Sequence, residues 1–242
     1  MQTNKPTLYT CLSPALLHLY DLKNAVVVII DVFRATSTIA AVLNNGAKCI
    51  IPVDEVFKAI EISKKIDAIA AGERDGQIAE GLQHGNSPLE YSKEFIEGKT
   101  LVLTTTNGTK LLQMALDNNA DTIICGSFPN LSSVCKYLIA QNKNVVLGCA
   151  GWKDRFNLED TLFAGAIINR LSNMFTIHCD SSLMAETMYT KHKNKIMEFA
   201  PSLTHYHRLV DRFGLIEDIK FCLTEDVANV LPVYADGKLI AK

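Results

Sequence analysis

Short β-branched runs alternate with segments of helical period along nearly all of this 242-residue chain, and few folds accept that alternation. Strands are expected at 6–11, 25–31, 48–52, 67–71, 100–104, 121–125, 144–149 and 219–223. Helices are expected between them, at 36–44, 54–65, 88–96, 108–118, 130–141, 158–172, 181–198 and 203–213. The pattern predicts an α/β protein of three-layer α/β/α build, with a largely parallel sheet covered on both faces. No stretch rich in Pro, Gly or Ser divides the chain, so residues 1–242 read as one domain.

An internal repeat sharpens that reading. Val28 to Ile51 can be laid without a gap on Leu101 to Ile124, at an offset of 73 residues, with identities at Thr36/Thr109, Leu43/Leu116, Asn45/Asn118, Ala47/Ala120, Ile50/Ile123 and Ile51/Ile124. Each copy reads as strand, polar loop, amphipathic helix and strand, which is a right-handed βαβ crossover. A looser third copy begins at Val145. All three loops leave the carboxyl ends of strands, where open α/β sheets bind ligands.

Composition narrows the function classes. The chain is 48% hydrophobic and 21% charged with a formal net charge of -2, so it is a globular protein without the basic stripe of a nucleic-acid or anionic-membrane binder. No apolar run approaches the ~18 residues of a membrane span. Seven scattered cysteines without a C-x-x-C pair, and an N-terminus that lacks a signal peptide's apolar region, point to a reducing, cytoplasmic setting. A small molecule is the expected partner, and a homodimer is compatible with the size.

The first loop, Asp31-Val32-Phe33-Arg34-Ala35-Thr36-Ser37-Thr38, is the densest in chemistry. Asp31 ends an apolar strand, placed to bind a hard cation or to attack phosphorus. Arg34 opposes the dipole of the helix that follows, a cost that a bound anion would offset. Thr36, Ser37 and Thr38 could give hydroxyls to phosphate or sulfonate oxygens, although one of them could equally be a helix cap. The second loop, Thr104-Thr105-Thr106-Asn107-Gly108-Thr109-Lys110, lacks the acid. It offers Thr105, Thr106, Asn107, Gly108, Thr109 and Lys110 as an oxyanion cradle, with glycine for close backbone approach.

Glu73 and Arg74 follow a third strand and could serve as a metal ligand and a phosphate clamp. Ser87, Pro88 and Glu90 make a capping box and are structural. Glu159 and Asp160 open the helix of the third copy, where acids are stabilising in any case. With Asp31 and Glu73 they could complete an oxygen-rich Mg²⁺ site or supply an acid and base; Asp31, Glu73 and Asp160 are the expected ligands. His205 and His207, two apart on one helix, face apart and are left out of the metal site.

Taken jointly, the motifs D-V-F-R-A-T-S-T, G-E-R, G-N-S-P-L-E, T-T-N-G-T, C-A-G, L-E-D-T-L-F-A-G, S-x-x-H-Y-x-R-L and D-I-x-F-C resemble the 2-phosphosulfolactate phosphatase family, in order from about Ile30 to Pro232. The resemblance implies a Mg²⁺-dependent phosphatase that converts 2-phospho-3-sulfolactate to 3-sulfolactate and phosphate, a step associated with coenzyme M biosynthesis. It also implies an internally duplicated α/β/α fold, and supports Asp31, Arg34, Thr36, Glu73, Arg74, Asn86, Thr106, Asn107, Gly108, Thr109, Glu159 and Asp160 as site residues. Trp152 to Asn157 departs from the pattern, with a bulky, charged loop. A haloacid-dehalogenase-type phosphatase would need a second acid where Phe33 stands. Two alternatives remain: a phosphatase for another small phosphorylated carboxylic acid, and a non-catalytic phosphate-binding module. Arg34, Arg74, Lys110, Lys153 and Arg155 are the cations expected to read a substrate with three anionic groups.

Overall fold

Strand β2 (Ala25–Ile30) consists of six consecutive apolar, fully buried residues, the mark of a strand covered on both faces. Its side chains alternate between two cores. Val26, Val28 and Ile30 belong to one, whereas Val27 and Ile29 belong to the other, so the sheet is the middle of three layers. The computed structural model describes residues 5–242, and one sheet of eleven strands runs through them.

In chain order the strands are β1 (Thr7–Cys11), β2, β3 (Cys49–Val53), β4 (Ile69–Arg74), β5 (Gln77–Ile78), β6 (Thr100–Thr104), β7 (Thr122–Gly126), β8 (Asn144–Cys149), β9 (Thr176–Ile177), β10 (Pro232–Ala235) and β11 (Lys238–Ala241). The helices are α1 (Ala35–Asn44), α2 (Val56–Ile66), α3 (Lys93–Ile96), α4 (Gly108–Asp117), α5 (Leu131–Gln141), α6 (Leu158–Leu171), α7 (Asp180–His192), α8 (Ile196–Phe199), α9 (Thr204–Phe213) and α10 (Ile216–Leu223). The strand order is β5-β4-β6-β3-β11-β10-β7-β2-β8-β1-β9. Pairing is parallel except around the β10–β11 hairpin and at β5.

The 73-residue offset recurs in the helix and second strand of each copy. Helices α1 and α4 begin and end 73 positions apart, and so do β3 and β7. The copies interlock: β3 pairs with β6, the first strand of the second copy, while β7 pairs with β2, the first strand of the first. The hairpin fills the gap between the two parallel halves. Its Asp236 and Gly237 both lie at positive φ, 48° and 78°, as a two-residue turn between antiparallel strands demands.

Three expectations are corrected. Residues 219–223 are not a strand but part of α10, whose buried residues Asp218, Ile219, Cys222 and Leu223 recur at helical spacing. The helix expected at 88–96 is a 3-10 turn (Pro88–Glu90) followed by α3, because Ser92 caps afresh by accepting from Phe95 N, and the Glu90 carboxylate bonds Gly85 N instead of closing a capping box. The segment 181–198 breaks at Lys193–Lys195 into α7 and α8. Where α6 crosses α7, Gly165 permits backbone contact, since a Cβ there would stand 2.0 Å from the Ala185 carbonyl oxygen.

Candidate active site

The loops after β2, β4 and β6 and the third loop, after β8, meet at one end of the sheet, and α9 closes over them. Together they line a cleft whose walls include Asp31, Arg34, Glu73, Asn86, Thr106, Asn107, Trp152, His205 and Arg208. Residues 31–38 are all buried.

Asp31 sits where β2 gives way to α1. Burial pushes its carboxyl up to about 7, helped by the negative charges of Glu73 and Glu159 and opposed by His205 and the Ala35 N–H. Of the buried acids among the described residues, it is the one whose carboxylate neither pairs with a side chain, as those of Glu159 and Asp218 do, nor accepts from two loop N–H groups, as that of Asp160 does. Gly108 keeps the space beside it open, because a Cβ there would lie 3.2 Å from Asp31 Oδ2.

The expected phosphate-binding hydroxyls of the first loop face the backbone. Thr36 Oγ1 donates to the Asp31 carbonyl (2.9 Å), Ser37 Oγ to the Val32 carbonyl (2.8 Å) and Thr38 Oγ1 to the Asn86 carbonyl (2.9 Å). They shape the loop. Arg34 does stand at the start of α1, yet the anion that offsets its charge is internal: its guanidinium donates to Asp218 of α10 and to the Gly76 carbonyl, and Ser87 Oγ holds the other Asp218 oxygen at 2.8 Å.

Glu73 and Arg74 part company, as neighbours on a strand must. Glu73 lines the cleft and accepts from Thr106 N (3.0 Å) and Gly76 N (2.9 Å). Arg74 faces a separate groove with Thr105, Thr109 and Lys110, its donors on the carbonyls of Glu73 and Asp54 and on Thr104 Oγ1. Lys110 is paired at the surface with Asp154 (2.7 Å). Thr109 Oγ1 donates to the Thr105 carbonyl, while its N–H bonds Thr105 Oγ1. The cradle of the second copy is therefore divided: Thr106 and Asn107 reach the cleft, and the rest do not.

Asp160 is fully engaged below the loops. Its two oxygens accept from Val32 N (2.9 Å) and Gly151 N (3.0 Å), tying the first loop to the third. Burial holds its carboxyl well above the usual range, with the neighbouring charges of Glu159 and Asp31 adding to the effect. The expected cage of Asp31, Glu73 and Asp160 is thus not assembled, and among the described residues no three His, Cys, Asp or Glu side chains converge to hold a metal unaided. Asn86, by contrast, is 3% exposed and its Oδ1 has no hydrogen-bond partner, a costly state for an amide oxygen beside the cleft.

Four residues of the site escaped the sequence reading. Asp218 holds Arg34. His205 is buried in α9, with Nδ1 2.7 Å from Glu159 Oε1 and its ring edge-on to Phe33, while His207 is exposed and pairs with Asp211. Arg208 and Trp152 close the mouth. The motif S-x-x-H-Y-x-R-L carried both His205 and Arg208, but their partners lie more than 40 positions away.

Parallel strands that deliver a buried acid to a polar cleft, closed by a helix that carries a carboxylate-bound histidine, define an α/β enzyme whose chemistry sits at strand ends. The model of a family described as 2-phosphosulpholactate phosphatase matches residues 11–237. Proteins named probable 2-phosphosulfolactate phosphatase are similar over most of their length. That of Thermotoga maritima is 43% identical over 215 residues, 89% of this chain and 91% of its own; that of Caldanaerobacter subterraneus subsp. tengcongensis is 42% identical over 221 residues, 90% of each; that of Clostridium acetobutylicum is 36% identical over 222 residues, 90% and 93%. The chain belongs to the 2-phosphosulfolactate phosphatase family.

Proposed function

We propose that this protein hydrolyses 2-phospho-3-sulfolactate to 3-sulfolactate and inorganic phosphate, with Mg²⁺ as cofactor. One observation carries the reading: in a chain matched to this family over residues 11–237, Asp31 is the buried acid that opens into the cleft at the strand ends. Its carboxylate and the unpartnered Asn86 Oδ1 are hard oxygen donors of the type Mg²⁺ takes, and Mg²⁺ needs only one or two carboxylates when substrate phosphate and water fill its other positions. Burial, and after it the neighbouring acids, push the Asp31 carboxyl up, and those acids suit a cation equally well. When bound, Mg²⁺ neutralises charge on the phosphoryl oxygens.

The chain's own residues supply the rest. Asp31 either holds the metal or attacks phosphorus, and trapping of a phosphorylated Asp31 during turnover would assign it the attack. The leaving group is the alkoxide of a hydroxy acid, which must gain a proton. His205 is placed to give it: Glu159 takes Nδ1, and the ring's other nitrogen remains for the cleft. Thr106 and Asn107 also line the cleft and can donate to phosphate oxygens.

The same reading puts the protein in coenzyme M biosynthesis and in a reducing cytoplasm. Its seven cysteines are all free and six of them are buried, and among the described residues no helix is long and apolar enough to cross a membrane. The test is phosphate release from 2-phospho-3-sulfolactate with Mg²⁺ and with excess chelator. Turnover with metal alone is expected. Undiminished turnover in chelator would remove Mg²⁺ from the account, and no turnover under either condition would remove the substrate.

A further inference from the structure

The cleft contains two guanidinium groups, and they are in different states. Arg34 is committed to Asp218 and to the Gly76 carbonyl. Arg208, half-buried on α9, makes no hydrogen bond or ion pair among the described residues. Instead its guanidinium lies over the indole of Trp152, with Cζ 3.7 Å from the ring centroid. Stacking fixes the plane of the group while leaving its N–H edge free, the arrangement in which arginine grips a planar or trigonal oxyanion most strongly.

The platform is itself built. Trp152 and Arg155 exchange backbone hydrogen bonds (2.8 and 3.0 Å) around Lys153 and Asp154, both in the left-handed region with φ of 50° and 61°. That is a tight reverse turn, entered through Gly151, where a Cβ would stand 2.1 Å from the Arg155 carbonyl oxygen. Asp160 clamps Gly151 N, Ser13 Oγ donates to the Asp154 carbonyl (2.6 Å), and Lys110 pairs with the Asp154 carboxylate. Lys153 Nζ covers the same indole at 4.6 Å. The charges facing Arg208 from neighbouring elements are those of Asp75 and Glu159, and neither is bonded to it.

We propose that Arg208, held on Trp152, binds the sulfonate of the substrate and is the specificity-determining residue of the site. The proposal rests on the reading of this cleft as a 2-phosphosulfolactate phosphatase site. Phosphate is directed to Asp31 and Asn86, so the uncommitted guanidinium at the mouth meets the far end of the substrate. A sulfonate spreads one charge over three oxygens and is weakly hydrated. Pairing it with a stacked, weakly hydrated guanidinium costs less desolvation than pairing the more tightly hydrated carboxylate.

Trp152 is the one tryptophan of the chain, so its emission reports from the subsite. In the Mg²⁺-loaded protein, 3-sulfolactate and isethionate, which both carry a sulfonate, are expected to shift that emission, and lactate is not. Arg208→Gln should abolish the response. It should also raise KM for 2-phospho-3-sulfolactate about ten- to a hundredfold with kcat held within about threefold, and bring the kcat/KM ratio of that substrate over phospholactate close to one. Arg208→Lys should fall between. An unchanged KM and ratio in Arg208→Gln would overturn the proposal, as would an emission response to lactate equal to that for isethionate. A wild-type protein that does not hydrolyse 2-phospho-3-sulfolactate would instead overturn the functional reading on which the subsite rests.

Discussion

The two copies of the strand-loop-helix unit share a backbone and differ in what their loops hold. In both, a threonine at the same place, Thr36 or Thr109, turns its hydroxyl back onto a backbone carbonyl at the start of the helix. In both, a cation near that start is matched by an aspartate from elsewhere. Arg34 and Asp218 form a buried pair, with side chains 5% and 6% exposed, whereas Lys110 and Asp154 are 47% and 44% exposed. Where the first copy carries Asp31, the second carries Thr104. Even the contact between the copies is made by equivalent positions, since a Cβ on Gly108 would stand 3.2 Å from that of Ala35. The duplication therefore supplies the frame twice, and burial together with one acid sets apart the copy to which the proposed chemistry is assigned.

The largest break in this asymmetry is at the acid. Asp31→Asn is expected to lower kcat for phosphate release by a thousandfold or more, about 4 kcal/mol or more in barrier, while Thr105→Val in the second loop should change it less than tenfold; steady-state kinetics on both variants tests this. Next is the ion pair of the first copy. Asp218→Ala leaves the Arg34 guanidinium buried without its partner and should cost about 3–5 kcal/mol, read as a fall of about 10 °C in Tm.

A smaller effect follows from protonation of Asp31. Its carboxyl is raised in the fold to about 7, so the unfolded chain releases this proton first as pH rises. Stability is then lost between about pH 4 and pH 7 in metal-free protein. Asp31→Asn should accordingly be more stable than wild type at pH 8 in chelator, by roughly 1–3 kcal/mol, with the gap closing below pH 4. Urea unfolding across that range measures it. The smallest expected change is in the second copy, where Lys110→Ala breaks an exposed pair and should alter stability by less than about 1 kcal/mol.

The frame was legible because it depends on local periodicity. The bounds of α1 and α4 and the strand end that delivers Asp31 follow from apolar runs and the 73-residue repeat, whereas β4 runs on to Arg74, past the end expected at residue 71, so that Glu73 lies within the strand and not after it. The hairpin at Asp236-Gly237 carried a turn signal that was available and passed over. Residues 219–223 misled because a short apolar run fits strand and buried helix alike. The site was legible in its members and not in their roles. Arg34 was correctly placed beside a helix start, but its counter-ion lies 184 positions away. His205 was set aside together with His207, because its partner, Glu159, lies 46 positions away in the sequence. Which hydroxyls turn inward to the backbone and which face the cleft is settled by tertiary packing, and no spacing in the sequence encodes it.

The most direct test of the account is a crystal structure grown with Mg²⁺ and 3-sulfolactate plus phosphate. It should place the cation against Asp31 and the phosphate beside it, within the cleft lined by Asn86, Thr106 and His205. Cation and phosphate bound instead in the groove of Arg74, Thr109 and Lys110, with nothing at Asp31, would contradict the assignment of the chemistry to the first copy.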